Sequence, residues 1–293
     1  MKIGMNLPVM EPGLDRGVLL EWIRRIDEGP FSSVALGERI AFTNPEVLTT
    51  LAACAAVTQR VRIVSTVVVL PIHDPVLLAK QLATIDVLSD GRLSVGVGIG
   101  GREEDYRSVS ADLSMKRNAA LPGLVDTLRR VWAGERVVDT LEPVGPEPVQ
   151  PGGPEVLAGA LGPKAVTMAA SWADGICGFD WGPSLEGIES TFSRARDAWK
   201  QVGREEAPRL ITSFWFALGE AARDQVSSHL RRYMNYMDAD VVEDLLPTTG
   251  FAGSGAELVS LLARVEDLGA DEVLLTPTNA SPDEVSRVAD LIG

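Results

Sequence analysis

Few side chains in this sequence are equipped for acid–base or metal chemistry, and where they stand narrows the choice of reaction. His73 and His229 are the only histidines, and no carboxylate pair flanks either at metal-ligand spacing, so hydrolytic metal chemistry is not expected. A Schiff base needs a lysine at a strand end, whereas Lys2, Lys80, Lys116, Lys164 and Lys200 fall at strand starts, in helices or in loops. No serine stands in a G-x-S-x-G turn. What remains is a set of glycines, small polar residues and scattered aromatics. That set suits an enzyme whose cofactor carries the difficult chemistry.

The glycines offer two readings. Gly96, Gly98 and Gly101 fit G-x-G-x-x-G, the spacing that cradles a pyrophosphate in a dinucleotide fold. That fold requires the motif on the first strand of a unit, a helix directly after it, and an acid-ended strand about 20 residues on. Here the motif lies well inside the chain, and the segment that follows, Ala119 to Trp132, reads as a helix. The better reading is a floor for a flat ring, with Gly98, Gly100 and Gly101 removing side chains where the ring would lie. Gly159, Ala160, Leu161, Gly162 and Pro163, followed by Lys164 at a helix start, offer unpaired backbone N–H groups and a cation for a phosphate. The competing view is that these glycines only cap strands and helices.

The elements that must carry these residues alternate between strand and helix. Apolar runs at Lys2–Leu7, Ser33–Gly37, Arg62–Leu70 and Arg92–Gly98 are each followed by a helical pattern, and further runs begin at Val156, Gly175, Leu210 and Val273. Continuous apolar strands such as IVSTVVVL suit a parallel sheet buried on both faces. Eight such strands favour a closed (β/α)8 TIM barrel, α/β in class, as a single domain over 1–293 with insertions near 101–117, 134–154 and 220–253. The last two insertions read either as lids or interfaces, or as surface excursions. Tyr106 and the charged run before it read as a short solvated helix. In such a barrel the chemistry gathers at the C-terminal strand ends. Those ends read Asn6, Gly37-Glu38-Arg39, Ser65-Thr66-Val67, Gly98 to Gly101, Gly159 to Gly162, Phe179 to Trp181, Trp215-Phe216 and Thr276.

Bulk properties agree with a small-molecule enzyme. A net charge of -14 over 293 residues disfavours nucleic acid and anionic lipid as partners. Cys54 and Cys177 lie in apolar segments and read as reduced core thiols. With no secretory leader and no apolar run of about 18 residues, a soluble cytoplasmic protein is expected.

Several segments together carry a family resemblance: Asn44-Pro45-Glu46, Arg60 to Leu70, Pro75 to Gln81, Leu82 to Gly98 with its L-S-x-G-R-L core, Arg102 to Tyr106, Gly159 to Ala165 and Ala173-Asp174-Gly175. On these the chain resembles, almost end to end, the luciferase-like superfamily of flavin- and F420-dependent oxidoreductases. The resemblance implies hydride transfer between coenzyme F420 and a small organic substrate. The alternative cofactor is FMN, in a two-component monooxygenase served by a separate reductase. It also implies a homo-oligomer, such as a homodimer. In the family a non-proline cis peptide ends the third strand against the cofactor ring, and Thr66-Val67 holds that place here. Gly98 and Gly100 would line the ring edge, Asn6 would lie near ring or substrate, and Gly159 to Pro163 would take the phosphate.

Two departures stand out. Where the family often has a histidine after the second strand, this sequence has Glu38-Arg39-Ile40, and Arg39 cannot accept a proton at neutral pH. Either Arg39 fixes an anionic group, or Glu38 is the acid–base residue, or the chemistry needs neither. Gly101 stands where several sugar-phosphate dehydrogenases of the family place a glutamate, which argues against that activity. His73 is a candidate for the substrate pocket, although a plain loop side chain is the alternative. Trp181 and Trp215 either close that pocket or pack the barrel rim. A flavin-binding barrel without catalysis and a cofactor-free lyase are the rival functions.

Overall fold

The computed structural model describes all 293 residues. In chain order the elements are β1 (Lys2–Asn6), α1 (Arg16–Glu28), β2 (Ser33–Leu36), α2 (Val47–Val57), β3 (Arg62–Val69), α3 (Pro75–Leu88), β4 (Leu93–Gly98), α4 (Glu103–Ser108) and α5 (Arg117–Trp132). There follow β5 (Glu155–Ala158), α6 (Pro163–Ala169), β6 (Gly175–Cys177), α7 (Leu185–Gln201), β7 (Arg209–Leu218), α8 (Ala222–Tyr233), α9 (Ala239–Leu245), β8 (Phe251–Gly253), α10 (Gly255–Asp267), β9 (Glu272–Pro277) and α11 (Asp283–Ile292). Strands β1 to β7 pair in sequence, β7 pairs with β9, and β9 returns to β1, all in parallel, so eight strands close a (β/α)8 barrel. All eight strands expected from the sequence are present. The ninth, β8, pairs only with the far end of β7 and lies inside the 220–253 insertion, where three residues gave no apolar run to read.

Helix starts are set by local chemistry. Asp15 accepts from the Val18 N–H at the head of α1, Asp74 caps α3 with Pro75 in its first turn, and Ser254 with Glu257 forms a capping box on α10. The main apolar core lies between the strands and the ring of helices and includes Trp22, Phe31, Leu51, Leu82, Phe192 and Trp199.

Inside the barrel, period-two alternation stacks three layers. At the N-terminal end Arg209 bridges Glu155 and Glu272 (Nη2 to Glu272 Oε2, 2.6 Å), while the Ser33 and Ser94 hydroxyls donate to Glu272 and Glu155. Two residues further along each strand, Ala35, Val64, Leu157, Cys177, Ile211 and Leu274 form an apolar layer. Two residues beyond that, Thr66, Gly159, Ser213 and Thr276 reach the open end. The strands read as apolar runs because their outward positions and the middle layer are apolar.

The insertions go to different places. The segment 134–154 runs back along α3, where Asp86 accepts the Val149 and Gln150 N–H groups and Lys80 donates to the Gly145 carbonyl. None of its residues reaches the barrel mouth, so the lid reading is corrected to one of helix cover. The other two insertions do reach the mouth. The short helix α4 is present as expected, but it is not solvated along its length. Asp105 and Tyr106 are buried, Asp105 accepting the Ile40 and Ala41 N–H groups and Tyr106 donating to the Ile99 carbonyl. No helix is long and apolar enough to cross a membrane.

Candidate active site

A cavity of about 840 Å³ opens at the C-terminal end of the barrel. Of the residues named from the sequence, Asn6, Glu38, Thr66, Val67, Gly98, Gly100, Gly159 to Pro163, Trp181 and Trp215 line it; Arg39 and His73 do not.

Its floor is a bulge in β3. Pairing with β4 runs Ser65 to Val95 and resumes at Val68 to Val97, so β3 carries one extra residue, and the Thr66–Val67 peptide is cis. The Val67 side chain is held by two glycines. A Cβ on Gly98 would stand 2.9 Å from Val67 Cγ2, and one on Gly159 would stand 2.6 Å from Val67 Cγ1. These glycines therefore clear space for Val67 itself, and Val67 in turn presents the floor. Gly100 turns with φ +62 over Val69, whereas a Cβ on Gly101 would meet nothing. Beside the bulge, the Thr66 hydroxyl donates to Asn6 Oδ1 (2.7 Å) and Asn6 Nδ2 donates to Thr276 Oγ1 (3.0 Å). That chain ties β3, β1 and β9 together across the floor.

The β5 side is a wall of Gly159 to Lys164. Gly162 precedes α6 without a side-chain cap, and Lys164 lies on the same wall.

Glu38 and Arg39 leave the second strand in different directions. Glu38 faces the cavity, but its carboxylate accepts the Val69 N–H (2.7 Å) and lies 2.9 Å from His73 Nε2. His73 sits behind Glu38 rather than in the pocket, which corrects its assignment as a pocket residue. Arg39 is buried and committed to structure: Nη1 donates to the Tyr233 carbonyl, Nη2 donates to Asn235 Oδ1 and Glu104 Oε1, and the guanidinium stacks 4.0 Å from the Phe42 ring centre. Its assignment as a catalytic residue is corrected to that of a strut under the loop after α8. Burial and the neighbouring Arg102 charge both push the Arg39 pKa down from its ordinary value.

Of the wall opposite the floor, Trp181 and Trp215 were expected from the sequence, and four further residues were missed. Tyr233 arrives at the end of α8, Tyr236 from the turn after it, Arg102 just before α4, and His229 from the second half of α8. Trp215 is the hub of this aromatic wall, 4.4 Å from Phe179, 6.3 Å from Trp181, 5.3 Å from Tyr233 and 5.7 Å from His229, centre to centre. Trp181 and Trp215 thus both line the pocket and pack its rim. Arg102 Nη2 donates to the Tyr233 hydroxyl (2.7 Å). Burial opposes the Arg102 charge, yet Tyr233, Tyr236 and Asp105 around it hold its pKa above the ordinary value. His229 is 2% exposed, stacks on Tyr233, and engages Glu11 through Nδ1, while Nε2 has no protein partner. Burial, the largest effect, pushes its pKa down; Glu11 opposes that and Arg232 adds to it. A signal for it was present in the sequence, since His229 shares the buried stripe of α8 with Val226 and Leu230.

The model of a family described as luciferase-like monooxygenase matches residues 1–271. Limonene 1,2-monooxygenase of Rhodococcus erythropolis is 28% identical over 292 residues, covering 89% of this chain and 69% of that protein. An uncharacterized protein of Mycobacterium tuberculosis is 36% identical over 172 residues, 55% of this chain; the match spans only 58% of that relative's length. Among solved structures, an F420-dependent secondary alcohol dehydrogenase superposes with a TM-score of 0.82 at 16% identity, covering 99% of this chain and 98% of that one. Monooxygenase RslO1 from Streptomyces bottropensis gives 0.74 at 22%, covering 99% and 97%. At these identities the structural likeness is one of fold.

Proposed function

Because the chain belongs to the luciferase-like monooxygenase family, we propose that it is an oxidoreductase that transfers hydride between coenzyme F420 and a small, largely apolar organic molecule. The observation that carries this reading is the Val67 bulge seated between Gly98 and Gly159 at the floor of the cavity, a surface cleared of longer side chains. A flat ring would rest on that surface, and a Cβ on either glycine would displace Val67 and spoil it. F420, when bound, supplies a hydride acceptor or donor at its ring. Asn6, Thr66, Val67, Gly98 and Gly100 would lie against the ring, and Gly159 to Pro163 with Lys164 would take the phosphate.

The chain's own residues then do three things. The Thr66–Asn6–Thr276 chain fixes the polar groups of the floor in one arrangement. Phe179, Trp181, Trp215 and Tyr233 form an apolar wall that excludes water, strengthening every polar contact made inside. Arg102 places a positive charge at the mouth.

A second reading, FMN with oxygen and a separate reductase, is favoured by the likeness to limonene 1,2-monooxygenase over 89% of the chain. The deciding experiment is titration of the purified protein with F420 and with FMN, followed by absorbance and fluorescence. Tight binding of F420 alone is the expected result. Binding of FMN alone moves the reading to the monooxygenase, and binding of neither overturns both in favour of a barrel without this cofactor chemistry.

A further inference from the structure

One ionised side chain of the aromatic wall has donors to spare. Arg102 lines the cavity, keeps 10% of its side-chain surface accessible, and is held in one orientation. Nη2 donates to the Tyr233 hydroxyl (2.7 Å), and the guanidinium carbon stands 5.0 Å from the ring centres of both Tyr233 and Tyr236. The nearest carboxylate does not use the remaining nitrogens. Asp105 Oδ2 lies 3.5 Å from Nη1 and has no hydrogen-bond partner, while Asp105 Oδ1 is taken by the Ile40 and Ala41 N–H groups. Glu104, the next carboxylate along α4, is paired with Arg39. Of the two nitrogens without a hydrogen bond, Nε is buried and Nη1 is not, so Nη1 is the donor left at the cavity surface.

A second donor stands beside it. Tyr236 lines the same cavity, and burial, the largest effect on its hydroxyl, raises the pKa above the ordinary 10.0, so the proton is kept at neutral pH. The neighbouring guanidinium has no lone pair to accept that proton, which leaves it for a ligand. Among the cavity residues the only carboxylate is Glu38, and it is spent on the Val69 N–H and His73. Arg39 packs on the far side, 5.5 Å from the Tyr233 ring centre, and the Arg102 charge disfavours its own. An anion at Nη1 relieves that repulsion. A fixed cation, a hydroxyl donor and no free carboxylate to compete make a receptor for a planar anion, with the Trp181 and Trp215 rings close by for an apolar body.

We propose that Arg102 and Tyr236 bind a carboxylate group of the substrate, which makes the substrate class small carboxylic acids with an apolar body. The carboxylate meets Nη1 and the Tyr236 hydroxyl, and the body lies along the Trp215 wall toward the floor. The inference rests on the oxidoreductase reading above and adds to it the group by which the substrate is held. It assigns Arg102 to the substrate and leaves the cofactor phosphate to Gly159–Lys164.

Two measurements on the full chain test this. The first uses no cofactor: cyclohexylacetate and its neutral amide are titrated at pH 7 while tryptophan fluorescence is followed, because Trp181 and Trp215 line the cavity. The two probes share one body and differ in charge. Wild type should bind the carboxylate at least about tenfold more tightly than the amide. Arg102→Gln should remove that preference with amide affinity changed less than twofold, and Arg102→Lys, which keeps the charge without the fork, should retain part of it. Tyr236→Phe should weaken the carboxylate about threefold and leave the amide unchanged. Equal affinity of the two probes in wild type overturns the proposal. So does a loss of amide affinity in Arg102→Gln as large as the loss for the carboxylate, which would mark Arg102 as a prop of the aromatic wall only. The second measurement titrates F420 into wild type and Arg102→Gln. Affinities within twofold of each other are expected, and a loss of F420 affinity exceeding that for cyclohexylacetate gives Arg102 to the cofactor's own anionic groups and overturns the substrate assignment. Failure of wild type to bind F420 is a separate result, which defeats the cofactor reading while the carboxylate preference stands or falls on the first measurement.

Discussion

A Cβ at Gly159 would lie 2.6 Å from Val67 Cγ1, so the shape of the cavity floor depends on the absence of a side chain one strand beyond its neighbour β4. Gly159→Ala should push Val67 out of its seat. The expected cost is about 1–3 kcal/mol of stability from overpacking, with at least a tenfold loss of F420 affinity. Val67→Ala in the same background should recover the stability without the affinity. Urea unfolding and fluorescence titration read the two effects separately, and equal stability of Gly159→Ala and wild type would remove the contact from the account.

Glu38 should prove a stability residue more than a catalytic one. Its carboxylate accepts a backbone N–H and meets His73, so Glu38→Gln should cost about 1–3 kcal/mol by leaving those partners poorly satisfied. His73 is partly exposed, and His73→Ala should cost less than about 1 kcal/mol. Turnover should fall less than about tenfold in either, against the 100-fold or greater effects typical of general acid–base groups. A larger fall in Glu38→Gln with unchanged stability would restore it to the chemistry.

Arg39 holds the Tyr233–Asn235 turn through two guanidinium nitrogens. Arg39→Ala should loosen the aromatic wall, raising KM severalfold with little change in F420 affinity. Arg39→Lys should fail to rescue it, because an ammonium lacks the fork that reaches both acceptors. Steady-state kinetics on the three proteins decide the point.

The two thiols give a pH prediction. Burial pushes Cys54 and Cys177 up to about 12 from an ordinary 9.0. A folded value above the unfolded one means that the protonated thiol is favoured by folding. The stabilisation is complete below about 9 and is lost as pH rises from there toward 12. Native protein should therefore resist thiol alkylation at pH 8, and both cysteines should react once the chain is unfolded. Denaturant midpoints should fall between pH 9 and 11 by more in wild type than in the Cys54→Ala, Cys177→Ala double variant.

The eight strands were legible because burial on two faces makes them apolar throughout; Thr66, Val67 and Gly98 were legible as cavity residues through the segments that resemble a family, and Asn6 through its place at a strand end. The reason for the glycines was not. Spacing alone reads them as room for a ring, whereas Gly98 and Gly159 first make room for Val67. Arg39 and His73 were misplaced because position after a strand does not reveal whether a side chain turns inward or is drawn off by partners as distant as Asn235. Arg102, His229, Tyr233 and Tyr236 lie in insertions, where an amphipathic pattern shows that a face is buried but not what it covers.

The layer of Arg209, Glu155 and Glu272 fills the barrel interior at its N-terminal end, opposite the end at which the cavity opens. A ligand resting on Val67 and another held beside α8 would share that one cavity. If the proposed cofactor takes the deeper place, on Val67, turnover would follow an ordered sequence, with the deeper ligand first in and last out, and a tightly bound substrate in excess would trap it inside.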